Sequence, residues 1–232
     1  MGAVVTPARP LAAGRDADVY GYGDGLVLRR YRDGRSAAGE AATLRVLADL
    51  GYPVPAVHSS AGPDIVMERV DGPTLAEALQ TGAVAVADGA QVLADLHGGL
   101  HALDWPGAGA GESLLHLDLH PLNVLMGDAG PVVIDWSNAG PGPAGLDVAM
   151  SALILAQVVV SPAVLGGPPG AGDLVAAMLG ELLARFATAA HTPYAAQLGA
   201  AESRRRRDPN LTTEEHRALS RAVDLARAAA RG

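Results

Sequence analysis

The stretch that decides the fold is His116 to Asp135, HLDLHPLNVLMGDAGPVVID. Three polar residues stand out: Asp118, Asn123 a short way on, and Asp135 closing the apolar run Pro131-Val132-Val133-Ile134. A β-branched run preceded by Gly-Asp-Ala-Gly reads as a strand entered through a turn. It would hold Asp135 at a fixed strand end. Pro121 locks its own backbone and biases His120 towards an extended conformation, so Asp118 to Asn123 is expected as a shaped loop. Two carboxylates and an amide oxygen so placed suit Mg²⁺, which takes oxygen ligands and is usually shared with phosphates. One carboxylate is then spare to accept a proton.

The spacing matches the kinase catalytic loop H-R-D-L-x-x-x-N, with Leu117 in place of the arginine. Asp135 falls where the metal-binding Asp of D-F-G falls, with Trp136-Ser137 replacing Phe-Gly. A lone Asp in a loop is most often a solvated turn residue or a cap. Two coupled elements, with an internal Pro and Asn, outweigh that reading. In this form, HLDLHPLNVL followed by VVIDW, the chain resembles the aminoglycoside phosphotransferase and choline kinase branch of the protein-kinase-like fold. Members of that branch show H-x-D-x-H-P-x-N and then I-D-W or I-D-F. The resemblance implies an α+β fold with two lobes, a small antiparallel-sheet N-lobe over 1–69 and a mainly helical C-lobe over 70–232.

The composition fits that size. A chain of 232 residues can bury a sizeable core. It is 49% hydrophobic but only 3% aromatic, so Ala, Val and Leu must fill the interior. The net charge of −8 argues against general nucleic-acid binding and mildly favours a cationic partner. No cysteine is present for a disulfide, a thiolate nucleophile or a thiolate metal site. The start, MGAVVTPARPLAAG, lacks the long apolar core of a signal peptide. The longest apolar run, Val148 to Val160, is 13 residues and too short to span a bilayer. A cytoplasmic enzyme without membrane contact is the expectation.

Leu11 to Tyr31 reads as a hairpin, with Val19-Tyr20 in one strand, Gly23-Asp24-Gly25 in the turn and Leu26 to Tyr31 in the next strand. Gly14, with Arg15 and Asp16, sits where kinases place a glycine-rich phosphate loop, though G-x-G-x-x-G is absent. The kinase lysine has no counterpart, because all 17 basic residues are arginine. The register offers Arg29 for that role, with Arg30 one residue off, although an arginine fork differs from an ammonium in reach and geometry. The partner is expected to be Glu40, on a helix from about Ser36 to Leu50 with apolar residues at helical spacing. A solvated glutamate pairing with a nearby arginine is the plain alternative. Ile65-Val66-Met67 reads as a short strand leading into Glu68-Arg69-Val70. In the family this is the hinge that meets the purine through backbone groups at Glu68 and Val70, with Met67 behind the pocket; a core methionine explains Met67 equally well.

Beyond the hinge, helices are expected at Pro73 to Gln80 and Ala83 to Leu103, the second carrying His97 and His101 at i, i+4. That spacing can bind zinc, but no H-E-x-x-H follows, and packing or capping histidines are favoured. Asp147 most simply caps the buried helix, whereas in the family the corresponding Asp braces the catalytic loop. A Pro/Gly loop over 161–172 is followed by helices at about 173–190 and 213–230, the last opened by a Thr212/Glu215 capping box. Arg204 to Arg207 reads as a solvated turn, with an anion site as the alternative.

The resemblance implies an enzyme that moves the γ-phosphate of ATP, or GTP, to a hydroxyl of an aminoglycoside-, choline- or sugar-like acceptor. Asp118 would be the base, Asn123 and Asp135 the Mg²⁺ ligands, and His120 a positive group near the γ-phosphate. Arg29, clamped by Glu40, would hold the nucleotide phosphates, and Asp173, Glu181 and Glu202 are acidic candidates for a cationic acceptor. The alternative from another class is a nucleotide-binding pseudokinase or scaffold, supported by arginine in the lysine position and the single-glycine phosphate loop.

Overall fold

A computed structural model describes residues 10–14, 16–162, 171–209 and 211–232. Arg15, the middle of the Pro/Gly loop and the first nine residues, on which the leader reading rests, lie outside the described residues. The chain forms two compact units, one from residues 1–72 with 127–137 and the other from 73–126 with 138–232.

The first unit is built on an antiparallel sheet. Strands β1 (Ala12–Ala13), β2 (Ala17–Gly21), β3 (Leu26–Tyr31), β4 (Val57–Ala61) and β5 (Asp64–Glu68) run in the order β1-β2-β3-β5-β4. The turn between β2 and β3 bends through Gly23 and Gly25, both at positive φ, which glycine adopts without a Cβ clash. Helix α1 (Ala38–Asp49) buries Ala41, Leu44 and Leu47, the stripe that its sequence spacing gives. Ala17, Tyr31, Ala37, Ala41, Ile65 and Met67 make one apolar cluster, so Met67 is a core side chain. Strand β4 has no sequence signal, because Val57-His58-Ser59-Ser60-Ala61 is a short, largely exposed edge strand with a register shift against β5.

The second unit is mainly helical. Helix α2 (Leu75–Thr81) opens with a Thr74/Glu77 capping box, and α3 (Val86–His101) follows. Strands β6 (Ser113–Leu115), β7 (Val124–Gly127), β8 (Gly130–Val133) and β9 (Gly140–Gly142) flank the two motif segments, and β6 pairs with β9; of these, β8 and the last residue of β7 belong to the first unit. Helix α4 (Ala144–Val160) is the hydrophobic centre, buried on nearly every side from Gly145 to Gln157. Helices α5 (Ala171–Ala189), α6 (Leu198–Arg206) and α7 (Thr213–Ala229) pack on it. The sequence gives little hint of α6, since Gly199 lowers its helical preference and the arginine run carries no apolar periodicity. Leu198, Ala201 and Arg205 nevertheless bury one face of it. No described helix is long and apolar enough to cross a membrane.

The capping box at Thr212 is formed as expected: the Thr212 hydroxyl accepts the Glu215 N–H, and the Glu215 carboxylate accepts the Thr212 N–H. Thr212→Ala should cost about 1 kcal/mol of stability. That corresponds to a fall of about 2–4 °C in the circular-dichroism melt.

Candidate active site

In the first unit the site is organised around Glu40. Its carboxylate is buried, with a side chain 3% exposed, and accepts hydrogen bonds from Arg29 Nε at 3.2 Å, the Tyr31 hydroxyl and the Trp136 backbone N–H at 3.1 Å. Burial excludes the solvated-glutamate reading. Arg29 and Tyr31 reach the same carboxylate because alternate residues of β3 point to one face. Arg30 points the other way and forms a two-pronged pair with Asp64 at 2.6 and 2.7 Å. The register ambiguity therefore resolves to Arg29. Burial and the Glu40 charge push the Tyr31 hydroxyl up to about 12, so it stays a proton donor.

Arg29 also bonds Asp135, Nη2 to Oδ1 at 2.6 Å, and Ser137 Oγ donates to the same oxygen at 3.0 Å. Burial works to discharge the guanidinium, but Asp135 and Glu40 outweigh it and hold it charged. Asp135 sits at φ 64°, a left-handed conformation uncommon for a residue with a side chain. The next residue explains how it is held: Trp136 is buried, anchored through its N–H to Glu40, through Nε1 to the Val133 carbonyl at 3.1 Å, and edge-on to Tyr52. The tryptophan of the I-D-W motif is thus a structural anchor for its neighbour.

Other expected nucleotide residues lie on the same sheet. The Gly14 N–H donates to the Ala17 carbonyl at 2.9 Å in the turn between β1 and β2. The Glu68 and Arg69 N–H groups are taken by Ala56 and Gly25, whereas no partner for the Val70 N–H is found among the described residues.

In the second unit, Asn123 donates from Nδ2 to the Asp118 backbone carbonyl at 2.9 Å and to its Oδ2 at 3.3 Å. The amide is fixed by its nitrogen, which turns Oδ1 into the available ligand. His120 Nδ1 accepts the Leu122 N–H at 3.3 Å, so a neutral ring carries its proton on Nε2, 3.8 Å from Asp118 Oδ2. The ring caps the short turn that follows and faces the Asp118 carboxylate. Burial works to raise the Asp118 carboxyl, but the His120 hydrogen bond and the nearby His120, His116 and Arg205 charges bring it below the usual range. Asp118 is therefore ionised at neutral pH.

Asp147 is not the cap of α4; Pro143 occupies that place, with no side-chain cap. Its carboxylate, with no solvent exposure, accepts the Leu117 N–H at 2.6 Å and the His116 N–H at 3.1 Å. Leu117 is the second side-chain-bearing residue at positive φ, 66°, and a left-handed turn of this kind persists only where its surroundings impose it. His101 Nε2 stands 3.1 Å from Asp147 Oδ2, and Ser151 Oγ donates to the Leu119 carbonyl at 2.6 Å.

Tyr31, Ser151 and Arg205 escape sequence reading. Ser151 had a signal, a lone hydroxyl in an apolar run one turn beyond Asp147. Arg205 had none separating it from its neighbours, yet it is buried, donating to Gln157 Oε1 and Asp208 at 2.9 Å each. Arg206 instead pairs with Glu202, and Arg185 with Glu181, so two of the acidic candidates are tied to arginines of their own helices. Asp173 lies exposed on α5.

Glu40→Ala leaves Arg29 Nε, the Tyr31 hydroxyl and the Trp136 N–H without their shared acceptor, and should lower unfolding free energy by about 3–5 kcal/mol in a urea titration. Asp147 contributes through pH. Burial opposes its charge, but the His101 and His97 contacts hold the carboxyl well below the usual range. Against an unfolded value of about 3.9, its stabilisation is present at neutral pH and lost as pH falls through the acid range. The melting temperature of Asp147→Asn, followed from pH 7 to about pH 3, should fall less steeply than that of the wild type.

Several solved structures share this architecture. The chain is 13% identical to the aminoglycoside phosphotransferase APH(2'')-Ib in its ADP-bound form, with a TM-score of 0.56 over 96% of this chain and 93% of that one. A choline/ethanolamine kinase family protein from Mesorhizobium loti is 15% identical, with a TM-score of 0.56 over 98% and 94% of the two chains. For the Plasmodium vivax ethanolamine kinase the values are 11% and 0.57, over 91% and 80%. Identities this low establish the fold, which is protein-kinase-like. No curated protein matches in sequence. The profile of the phosphotransferase enzyme family does match, over residues 7–112 and 101–168. That covers more than half of the chain and includes Arg29, Glu40, the His116–Asn123 loop and Asp135, and it establishes that the chain belongs to the phosphotransferase enzyme family.

Proposed function

We propose that this phosphotransferase moves the γ-phosphate of a nucleoside triphosphate, ATP or alternatively GTP, to a hydroxyl of a small-molecule acceptor, with Mg²⁺ as cofactor. The observation that carries the reading is the state of Asp118: an ionised carboxylate on a braced loop, fixed by Asn123 and faced by the His120 Nε2–H. Such a group can orient an acceptor hydroxyl and take its proton.

The remaining roles follow from what each residue has available. Asn123 and Asp135 would hold Mg²⁺; Asn123 Oδ1 is left by the anchoring of its nitrogen, and Asp135 Oδ2 by the use of Oδ1 for Arg29 and Ser137. These are hard oxygen donors of the kind Mg²⁺ takes. Held there, the ion would supply positive charge against the phosphate charge that develops during transfer. Arg29, kept charged and oriented by Glu40, is assigned to the nucleotide phosphates, with the Gly14 turn alongside. The Val70 N–H and the Glu68 carbonyl are assigned to the base, and Met67 to the packed face behind them. His120 orients Asp118, and a protonated ring would add positive charge near the γ-phosphate. Aminoglycoside-, choline- or sugar-like alcohols are the acceptor class, and the net charge of −8 supports a cationic member of it. The cytoplasm supplies both nucleotide and Mg²⁺.

Two measurements test this. Mg²⁺ with ATP or GTP should raise the melting temperature of the wild type by mass action, and Asp135→Asn should abolish the metal-dependent part. Asp118→Asn should keep that stabilisation while turnover, in a screen beginning with aminoglycosides and amino alcohols, falls about 10²–10⁴-fold. Near-normal turnover in Asp118→Asn would remove the residue from its role. No stabilisation by either nucleotide at millimolar concentration would favour a pseudokinase, in which the Arg29–Asp135 ion pair keeps the carboxylate from metal.

A further inference from the structure

Within the second unit, two helices each present a polar pair one turn apart: His97 and His101 on α3, Asp147 and Ser151 on α4. Their hydrogen bonds fix the state of His97. Ser151 Oγ donates its only proton to the Leu119 carbonyl at 2.6 Å, so towards His97 Nε2, 2.9 Å away, it can only accept. His97 therefore carries a proton on Nε2, and a neutral ring presents the bare lone pair of Nδ1. That nitrogen is buried without a hydrogen-bond partner and lies 3.4 Å from Asp147 Oδ2. Asp147 Oδ2 accepts the His116 N–H at 3.1 Å, but nothing among the described residues answers the Nδ1 lone pair, and a positive charge between the two buried atoms would satisfy both.

A proton on Nδ1 is the simplest candidate, but the separation does not suit it. A charge-assisted N–H···O⁻ bond draws its atoms to about 2.7–2.9 Å. The separation instead fits two ligands of one ion, since bonds of about 2.0–2.1 Å in a tetrahedral site set the ligand atoms about 3.3 Å apart. His101 Nε2 lies 3.1 Å from the same Oδ2, and one ligand atom from each of the three residues falls within 4.8 Å of the others.

We propose that His97 Nδ1, His101 Nε2 and Asp147 Oδ2 form a binding site for a divalent first-row transition metal, zinc foremost, with water in the fourth position. Imidazole and carboxylate ligands suit such ions. The outer contacts are those of a built site: His97 donates its other ring N–H to Ser151, and Asp147 keeps Oδ1 on the Leu117 N–H. His101 Nδ1, the other buried ring nitrogen without a partner, then carries the single N–H of its ring. The ion would tie α3 to α4 directly behind the catalytic loop. The three side chains are 3%, 6% and 0% exposed, so the metal enters as the chain folds. None of this depends on the nucleotide and acceptor assignments.

The test is metal content by mass spectrometry after expression in zinc-supplemented medium and purification without chelator. The wild type should hold about one zinc per chain, and Asp135→Asn the same, which separates this site from the proposed Mg²⁺ ligands. His97→Gln should fall about tenfold or more below it, in line with the loss of a direct ligand. Cobalt-supplemented wild type should show the visible absorption of a tetrahedral Co²⁺ centre, a readout that stands even if His97→Gln fails to fold. Wild-type protein with less than about a tenth of an equivalent of zinc and no cobalt absorption would overturn the site and leave His97 as an imidazolium. Undiminished zinc in folded His97→Gln would overturn the ligand assignment.

Discussion

A buried carboxylate that accepts a backbone N–H beside a strained turn is the constraint on which this structure depends, and it occurs once in each unit. In the first, Glu40 takes the Trp136 N–H, and Asp135 next to it is at φ 64°. In the second, Asp147 takes the Leu117 N–H, Leu117 is at φ 66°, and Asp118 follows it. A left-handed residue with a side chain costs of order 1–3 kcal/mol and survives only where its surroundings outweigh that cost. Here the compensation is a charge-assisted bond from an ionised group that has no competing water. Asp135 thus stands at, and Asp118 immediately after, a turn that the interior imposes.

That arrangement explains the type of residue at each position. Glu40 collects an arginine, a tyrosine and a backbone amide, more donors than a solvated helix glutamate would hold. Trp136 fills the core while its indole and backbone N–H groups both find acceptors, as buried tryptophan requires. Asn123 anchors by its nitrogen and keeps its oxygen, which an aspartate, lacking a donor, could not do.

The absence of lysine shapes the first unit. A lysine offers a compact ammonium, whereas the guanidinium fork of Arg29 reaches Glu40 through Nε and Asp135 through Nη2 at once. The same fork that fixes the Asp135 side chain also occupies Oδ1. Any cation at this carboxylate meets a ligand already partly neutralised, an electrostatic cost that a lysine held by Glu40 alone would not impose.

By itself, the sequence determined the local chemistry: the two motif segments, the catalytic-loop and strand-end carboxylates, the hairpin around Gly23 and Gly25, the α1 stripe, the buried α4 and the Thr212 cap. These follow from residue type and short spacing, which local backbone preferences and helix or strand periodicity encode. Tertiary structure alone decided which groups meet across long separations. It selected Arg29 over Arg30, placed Tyr31 on Glu40, moved Asp147 from a helix cap to the loop backbone, and buried Arg205 among arginines that read alike. It also made strand β4 and helix α6 from stretches with weak apolar patterning. Which long-range partner a polar group finds depends on how helices and sheet pack to bury apolar surface, and that packing is fixed by the whole chain.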